Sequence, residues 1–193
     1  MSTQPKTFLT AEEYLAIERQ AERKSEYYQG EMFLMAGASR EHNLLASNIG
    51  RELSQQLRKR PGEVYPSDMR VRVSATGLYT YPDVTVVCGE PQLADDYRDI
   101  LLNPALLVEV LSPSTEGYDR GRKFEHYRRI ESLAAYLLVS SDRVHVDLFL
   151  RQPDGPWLLT EASGLDATME LPPIGCHLAL RDAYEKLDLP TGP

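Results

Sequence analysis

The chain has 193 residues, of which 42% are hydrophobic, and its formal net charge is −8. This length is enough to bury one full core, so we predict a single domain over residues 1–193. The negative charge argues against a protein that coats nucleic acid regardless of sequence, and any contact with phosphate must come from a local basic patch.

The start of the chain and its apolar runs predict a cytoplasmic protein. The opening segment, MSTQPKTFLT, does not have a basic start followed by an apolar run. No apolar stretch approaches the roughly 20 residues that cross a bilayer. The two cysteines, Cys88 and Cys176, lack the spacing of metal ligands, which suits a reducing compartment.

The first half of the chain alternates between predicted helices and strands. Thr10 and Glu13 have the spacing of a capping box, ahead of a helix over about residues 11–20. A strand over residues 31–36 follows, and apolar residues at helical spacing predict a long helix over residues 40–60. Three extended segments are then predicted at residues 63–66, 69–74 and 81–88.

The second half continues the pattern. Residues 105–111 are apolar on both faces apart from Glu109, which is typical of a central strand covered on both sides. A helix over residues 119–130 and a buried strand over 135–139 follow. A hairpin of strands at residues 144–150 and 157–160 and a short helix over 180–187 end the predicted elements, which together indicate an α/β domain.

Glu109 is the most informative residue on physical grounds, because it interrupts a strand that otherwise looks fully buried. An ionised carboxylate there costs several kcal/mol unless it is paired or bound to a metal. A buried ion pair with Arg70 or Arg72 explains Glu109 equally well, so both interpretations stay open.

The position of Asp83 favours the interpretation that Glu109 binds a metal. It also lies in an apolar strand context, directly after Pro82, where a strand entrance or bulge often redirects a side chain. Two acids on neighbouring strands can converge on one cation, and Mg²⁺ requires only one or two protein carboxylates. The alternative for Asp83 is an ordinary turn or capping aspartate.

Lys123 follows on the predicted helix, with Asp119 four residues before it. The simpler interpretation is an exposed ion pair on a helix, worth about 0.3–0.5 kcal/mol. The functional interpretation brings the amine into the site, where it orients the attacking water or stabilises the negative charge of the transition state. Spacing alone favours the exposed pair.

Several motifs occur in an order that resembles the Uma-two family of restriction-endonuclease-like proteins, within the PD-(D/E)XK nuclease superfamily. The most specific is Glu-Val-Leu-Ser-Pro-Ser-Thr, which ends at Thr115. The matching positions in chain order are Glu26 to Glu31, Met35 to Gly37, His42, Asp83, Val108 to Thr115, Asp119, Lys123, Tyr127, Ser132-Leu133, Trp157 and Leu180 to Tyr184. The likeness therefore spans most of the chain.

The resemblance implies a restriction-endonuclease-like core, in which helices flank a central mixed sheet. It implies that Asp83 and Glu109 are metal ligands and that Lys123 carries the role of the catalytic lysine. The general superfamily signature places that lysine two positions after the acid, where this chain has Leu111.

Accessory roles are predicted for five further residues. The resemblance implies that Glu26 is an acid at the edge of the site, whereas a solvated turn carboxylate is the alternative. His42 is an accessory base or phosphate contact, or a partly buried helix histidine. Asp119 is better explained as a helix cap or an orienter of Lys123 than as a ligand. Arg120 and Arg122 are candidate phosphate contacts on a helix face that is otherwise simply solvated.

We therefore predict a Mg²⁺-dependent endonuclease, for which Mn²⁺ is a substitute ion, acting on nucleic acid and specifically DNA. A homodimer is expected, since cutting both strands is simplest with two sites. A nuclease-fold module that has lost turnover and binds nucleic acid or a protein partner is the first alternative. A glycosidase with paired carboxylates is the second, and it would work in the presence of a chelator.

Overall fold

The computed structural model describes residues 8–189. The helices are α1 (Ala11–Glu18), α2 (Arg40–Leu57), α3 (Glu116–Tyr118), α4 (Phe124–Tyr127) and α5 (Leu180–Ala183), with a π-helical turn at Asp119–Lys123 and a 3-10 turn at Pro172–Ile174. The strands are β1 (Ser25–Tyr28), β2 (Glu31–Leu34), β3 (Gly62–Pro66), β4 (Arg70–Val73), β5 (Leu78–Thr80), β6 (Val84–Cys88), β7 (Ile100–Leu101), β8 (Leu106–Leu111), β9 (Ala135–Ser140), β10 (His145–Arg151), β11 (Trp157–Ser163), β12 (Thr168–Leu171) and β13 (Cys176–Ala179).

The main sheet has six strands in the order β11-β10-β9-β8-β6-β3. Its β8–β9 pair is parallel and its other pairs are antiparallel, so the sheet is mixed, as predicted. A second sheet has the order β2-β1-β5-β4-β7, and β12 pairs with β13 in a short ribbon. Within residues 8–189, no helix combines the length and the apolar character needed to span a bilayer.

The main sheet is covered on both faces because β8 sends alternate side chains to opposite sides. Val108 and Val110 pack into the core that contains Leu45 and Leu53 of α2. Leu107 and Leu111 pack into a second core, which also contains side chains of β4 and β5 and the Tyr127 ring. Glu109 lies between Leu107 and Leu111 in this alternation, so its side chain also faces the second core, between the two sheets.

Most predicted elements occur close to their predicted positions. The capping box is confirmed: the Thr10 hydroxyl accepts from the amide of Glu13 at 3.2 Å, and the Glu13 carboxylate accepts from the amide of Thr10 at 2.7 Å. The leucine-rich helix is confirmed as α2, whose N-cap Ser39 accepts from the amide of His42. Both cysteines are free, with Cys88 exposed and Cys176 buried.

The predicted continuous helix over residues 119–130 is wrong. The segment begins earlier, at Glu116, and contains the π-helical turn Asp119–Lys123 before α4. A π turn widens the helix by hydrogen bonding over five residues instead of four, and such turns are frequent at functional sites. Here both Asp119 and Lys123 are buried, which a solvated helix face would not allow.

Candidate metal centre and active site

Glu109 is 4% exposed, and its contacts come from the segment that follows β8. The Lys123 Nζ atom lies 2.9 Å from Glu109 Oε1, and the Tyr127 hydroxyl donates a hydrogen bond to the same oxygen at 2.7 Å. The predicted alternative, an ion pair with an arginine, is wrong for Arg70, because Arg70 contacts Asp99 at 3.2 Å instead. Arg72 lies over the ring of Tyr79.

Asp83 lies in the bend between Pro82 and β6, next to Glu109 in the sheet. Val84 pairs with Val108 in antiparallel register, so extending the register by one residue places Asp83 opposite Glu109. The amide of Val110 donates to Asp83 Oδ2 at 2.7 Å, and His42 Nε2 lies 2.8 Å from Asp83 Oδ1. Because an ionised carboxylate only accepts, this contact requires the proton on Nε2 of His42. These two donors fix the orientation of the carboxylate.

Lys123 is 5% exposed and points inward. Its amine lies 2.9 Å from Glu109, 3.3 Å from Glu26 and 3.5 Å from Asp119. Spacing alone predicted an exposed ion pair between Lys123 and Asp119. The pair is present, but it is buried, so the predicted exposure is wrong. Three carboxylates around one amine match its three hydrogen-bond donors.

Glu26 approaches the same centre from β1 of the second sheet and is 9% exposed. The Thr80 hydroxyl donates a hydrogen bond to Glu26 Oε1, and the Tyr118 hydroxyl lies 3.5 Å from Oε2. The alternative for Glu26, a solvated turn carboxylate, is therefore wrong. The second sheet thus contributes an acid and a hydroxyl to a centre whose other parts come from the main sheet.

The centre contains four carboxyl groups and one amine. Burial raises the pKa of Glu109 well above its usual range, and Asp119 and Asp83 raise it further, against the lowering effect of Lys123. Burial likewise raises the pKa of Asp119. Burial by itself would lower the pKa of Lys123, but Glu109, Glu26 and Asp119 raise it above its ordinary value, so the amine is protonated at neutral pH. Four acids near one ammonium group form a centre that attracts a further cation.

The raised pKa of Glu109 predicts how pH affects the metal-free fold. Between the ordinary value of 4.5 and the higher folded value, the folded chain binds more protons than the unfolded chain, so stability falls as pH rises. Relative to Glu109→Gln, the wild type should therefore lose stability from pH 4.5 upward. Urea titrations in chelator at several pH values measure the difference between the two proteins. A difference that does not change with pH would mean that folding does not raise the pKa of Glu109.

A model of the Uma2 family, described as "Putative restriction endonuclease", matches residues 11–181. The chain belongs to the Uma2 family. The protein sll1609 of Synechocystis is 43% identical over 162 residues, which cover 84% of this chain and 92% of that protein. The protein slr1290 of the same organism is 38% identical over 184 residues, which cover 93% of both chains. Both relatives are described as uncharacterized proteins.

A solved structure confirms the fold of this Uma2 chain. It is described as a putative nuclease belonging to DUF820 from Anabaena variabilis, and it aligns with a TM-score of 0.74 at 19% sequence identity. The alignment covers 91% of this chain and 97% of that one. The predicted restriction-endonuclease-like core is consistent with this likeness, and the predicted family is confirmed by the family match.

The other residues predicted to have accessory roles differ in what they contact. His42 contacts Asp83, and Asp119 contacts Lys123, as described above. Arg120 is held by two carboxylates, Glu116 at 2.7 Å and Asp147 at 2.6 Å, so its guanidinium is already paired. Arg122 lines an open cleft next to Glu26.

Within residues 8–189, one group of three residues brings its possible metal-ligand atoms within 4.8 Å of one another. It is separate from the centre around Glu109 and consists of His145, Asp147 and Glu161 on the adjacent strands β10 and β11. The buried Asp147 carboxylate contacts Arg120 at 2.6 Å and His145 at 2.9 Å. Both groups therefore contain an acid that is already paired with a basic side chain.

Thr80 and Tyr118 are not predicted as functional residues from the sequence, and Tyr127 appears there only as a position that matches the family. Each provides a hydroxyl that contacts Glu26 or Glu109. Tyr127 is fully buried. A general signal was available, because a buried acid in an apolar strand requires hydrogen-bond donors, and tyrosine combines an apolar ring with such a donor.

Proposed function

We propose that this chain is a divalent-metal-dependent endonuclease that hydrolyses phosphodiester bonds in nucleic acid, with DNA as the expected substrate. One observation carries the proposal. Asp83, directly before β6, lies opposite Glu109 of β8, and the Lys123 amine lies 2.9 Å from Glu109. Membership in a family described as putative restriction endonucleases supports the same reaction.

The donor set fits Mg²⁺ or Mn²⁺ as the cofactor. Both described contacts of Glu109 are to Oε1, which leaves Oε2 for an ion. Each oxygen of Asp83 accepts one hydrogen bond and retains a second lone pair. Magnesium takes one or two protein carboxylates and completes its octahedron with water and substrate phosphate. When bound, the ion supplies Lewis acidity at the phosphate and activates water as a nucleophile.

The side chains of the protein then have separate roles. The surrounding carboxylates raise the pKa of Lys123, so its protonated amine would act as a hydrogen-bond donor and a positive charge next to the scissile phosphate. His42 and the Val110 amide hold Asp83 in place and are positioning groups. Asp119 and Glu26 hold the amine of Lys123, and Tyr127 holds Glu109. A homodimer remains a prediction, because two sites are the simplest way to cut both strands of a duplex.

Metal binding is tested by calorimetry with Mn²⁺ on single variants. We expect Asp83→Asn and Glu109→Gln each to abolish measurable binding while the protein stays folded, because each removes one of two anionic ligands. Glu161→Gln is the matched control, since it removes an exposed acid from the other group. Loss of binding in Glu161→Gln and normal binding in the other two variants would move the metal to β10 and β11.

A further inference from the structure

A cleft of about 790 Å³ opens next to the proposed metal centre. Glu26 belongs to both, since it lines the cleft and contacts the Lys123 amine at 3.3 Å. The cleft has the size of a typical ligand site. A molecule that reaches the metal from this side therefore passes along the walls of the cleft.

Three arginines and two acids line the cleft, so its lining is more basic than the chain as a whole. The arginines are Arg122, Arg128 and Arg129, and the acids are Glu26 and Glu125. His126 also lines the cleft, but burial lowers its pKa, so its ring is neutral at pH 7. The arginines provide the charge and the planar donors that suit phosphate groups.

Aromatic side chains also line the cleft, and the register of the β1–β2 hairpin explains their position. Phe33 pairs directly with Glu26, so the two side chains lie on the same face of the hairpin. The Phe33 side chain is 49% exposed and lines the cleft together with Tyr28, whose ring packs on His126 at 4.6 Å. Leu34 is 61% exposed but points to the opposite face, because side chains alternate along a strand.

We propose that this cleft binds an unpaired stretch of nucleic acid, with phosphates along the arginines and a nucleobase stacked on Phe33. The inference rests on the proposed function, because the cleft leads to the same metal centre. In a duplex the bases stack on each other and leave no ring face for Phe33. A strand with splayed bases offers both a phosphate chain and free ring faces, and basic grooves with aromatic platforms are how proteins hold such strands.

The experiment compares fluorescently labelled single-stranded and duplex DNA of one sequence by anisotropy, in chelator so that metal-dependent cleavage does not occur. The wild type should bind the single strand more tightly than the duplex. Phe33→Ala should weaken single-strand binding on the order of tenfold, the effect of losing one stacked base. Phe33→Tyr should restore it, and Leu34→Ala, the matched control on the other face, should stay within about twofold of the wild type.

A strand of equal length with abasic sites in place of its bases isolates the stacking contact. The wild type should bind this strand weakly, and Phe33→Ala should cause no further loss. The inference would be overturned if duplex bound as tightly as the single strand or more tightly, or if Phe33→Ala left single-strand binding unchanged. If the protein cuts duplex DNA and Phe33→Ala has no effect, the inference fails but the proposed nuclease function stands. If single-strand binding depends on Phe33 but no metal-dependent cleavage occurs, the inference is supported and the proposed catalysis is refuted.

Discussion

Glu109→Gln is expected to lower the rate of metal-dependent phosphodiester cleavage by a factor on the order of 10³, because it removes an anionic ligand and with it several kcal/mol of transition-state stabilisation. The change keeps the shape of the side chain, and a glutamine oxygen can still accept from the Tyr127 hydroxyl. The amine of Lys123 keeps Glu26 and Asp119 as partners. The fold should therefore survive while the chemistry fails.

The rate is measured in single-turnover cleavage at a Mg²⁺ concentration that saturates the wild type, with thermal unfolding as the check on the fold. Glu161→Gln is again the control and should cut at the rate of the wild type. A Glu109→Gln protein that is folded and cuts normally would remove Glu109 from the mechanism.

Lys123→Met has the second large expected effect. It keeps much of the apolar stem but removes the ammonium group, so turnover should fall by a factor on the order of 10² or more, the scale for losing a positioned catalytic group. Metal affinity should be retained, because Asp83 and Glu109 are unchanged. Single-turnover cleavage reports the chemical step without product release.

Because Lys123 is buried, Lys123→Met should also lower the free energy of unfolding by about 3–5 kcal/mol, since three acids lose their partner. Unfolding experiments with and without Mn²⁺ therefore accompany the kinetics, and the ion should recover part of this loss. Lys59→Met removes an exposed lysine in the turn that follows α2 and is the matched control. A folded Lys123→Met protein that cuts at the wild-type rate would refute the role of this amine.

Much of the fold follows from the sequence, because its strongest elements bury regular apolar patterns. The leucine spacing of α2 and the apolar runs of β8 and β9 require burial wherever they lie. The strands β1 and β5 were missed, since Ser-Glu-Tyr-Tyr and Leu-Tyr-Thr show no apolar alternation. Their tyrosines are nevertheless buried, because Tyr27 and Tyr79 pack on Tyr14.

The site was predictable only in part. Glu109 is visible because it interrupts an apolar strand, and Asp83 is visible because it lies directly before one. The burial of Lys123 is not visible, because an Asp119 four residues earlier is equally compatible with an exposed pair, and the π-helical turn has no simple sequence signal. The contacts of Glu26 with Lys123 and Thr80 join residues that are distant in sequence, so local patterns do not predict them.

Phosphodiester hydrolysis by this chain should depend on a divalent ion held by Asp83 and Glu109. The test compares the wild-type protein with Glu109→Ala on a mixed panel of single-stranded, duplex and branched DNA and of RNA, with Mg²⁺, with chelator, and with Mg²⁺ added back in excess. We expect the wild type to cut at least one substrate only when Mg²⁺ is present and Glu109→Ala to cut none. Cleavage that persists in chelator, or that Glu109→Ala retains, would show that this site is not a metal-dependent catalytic centre.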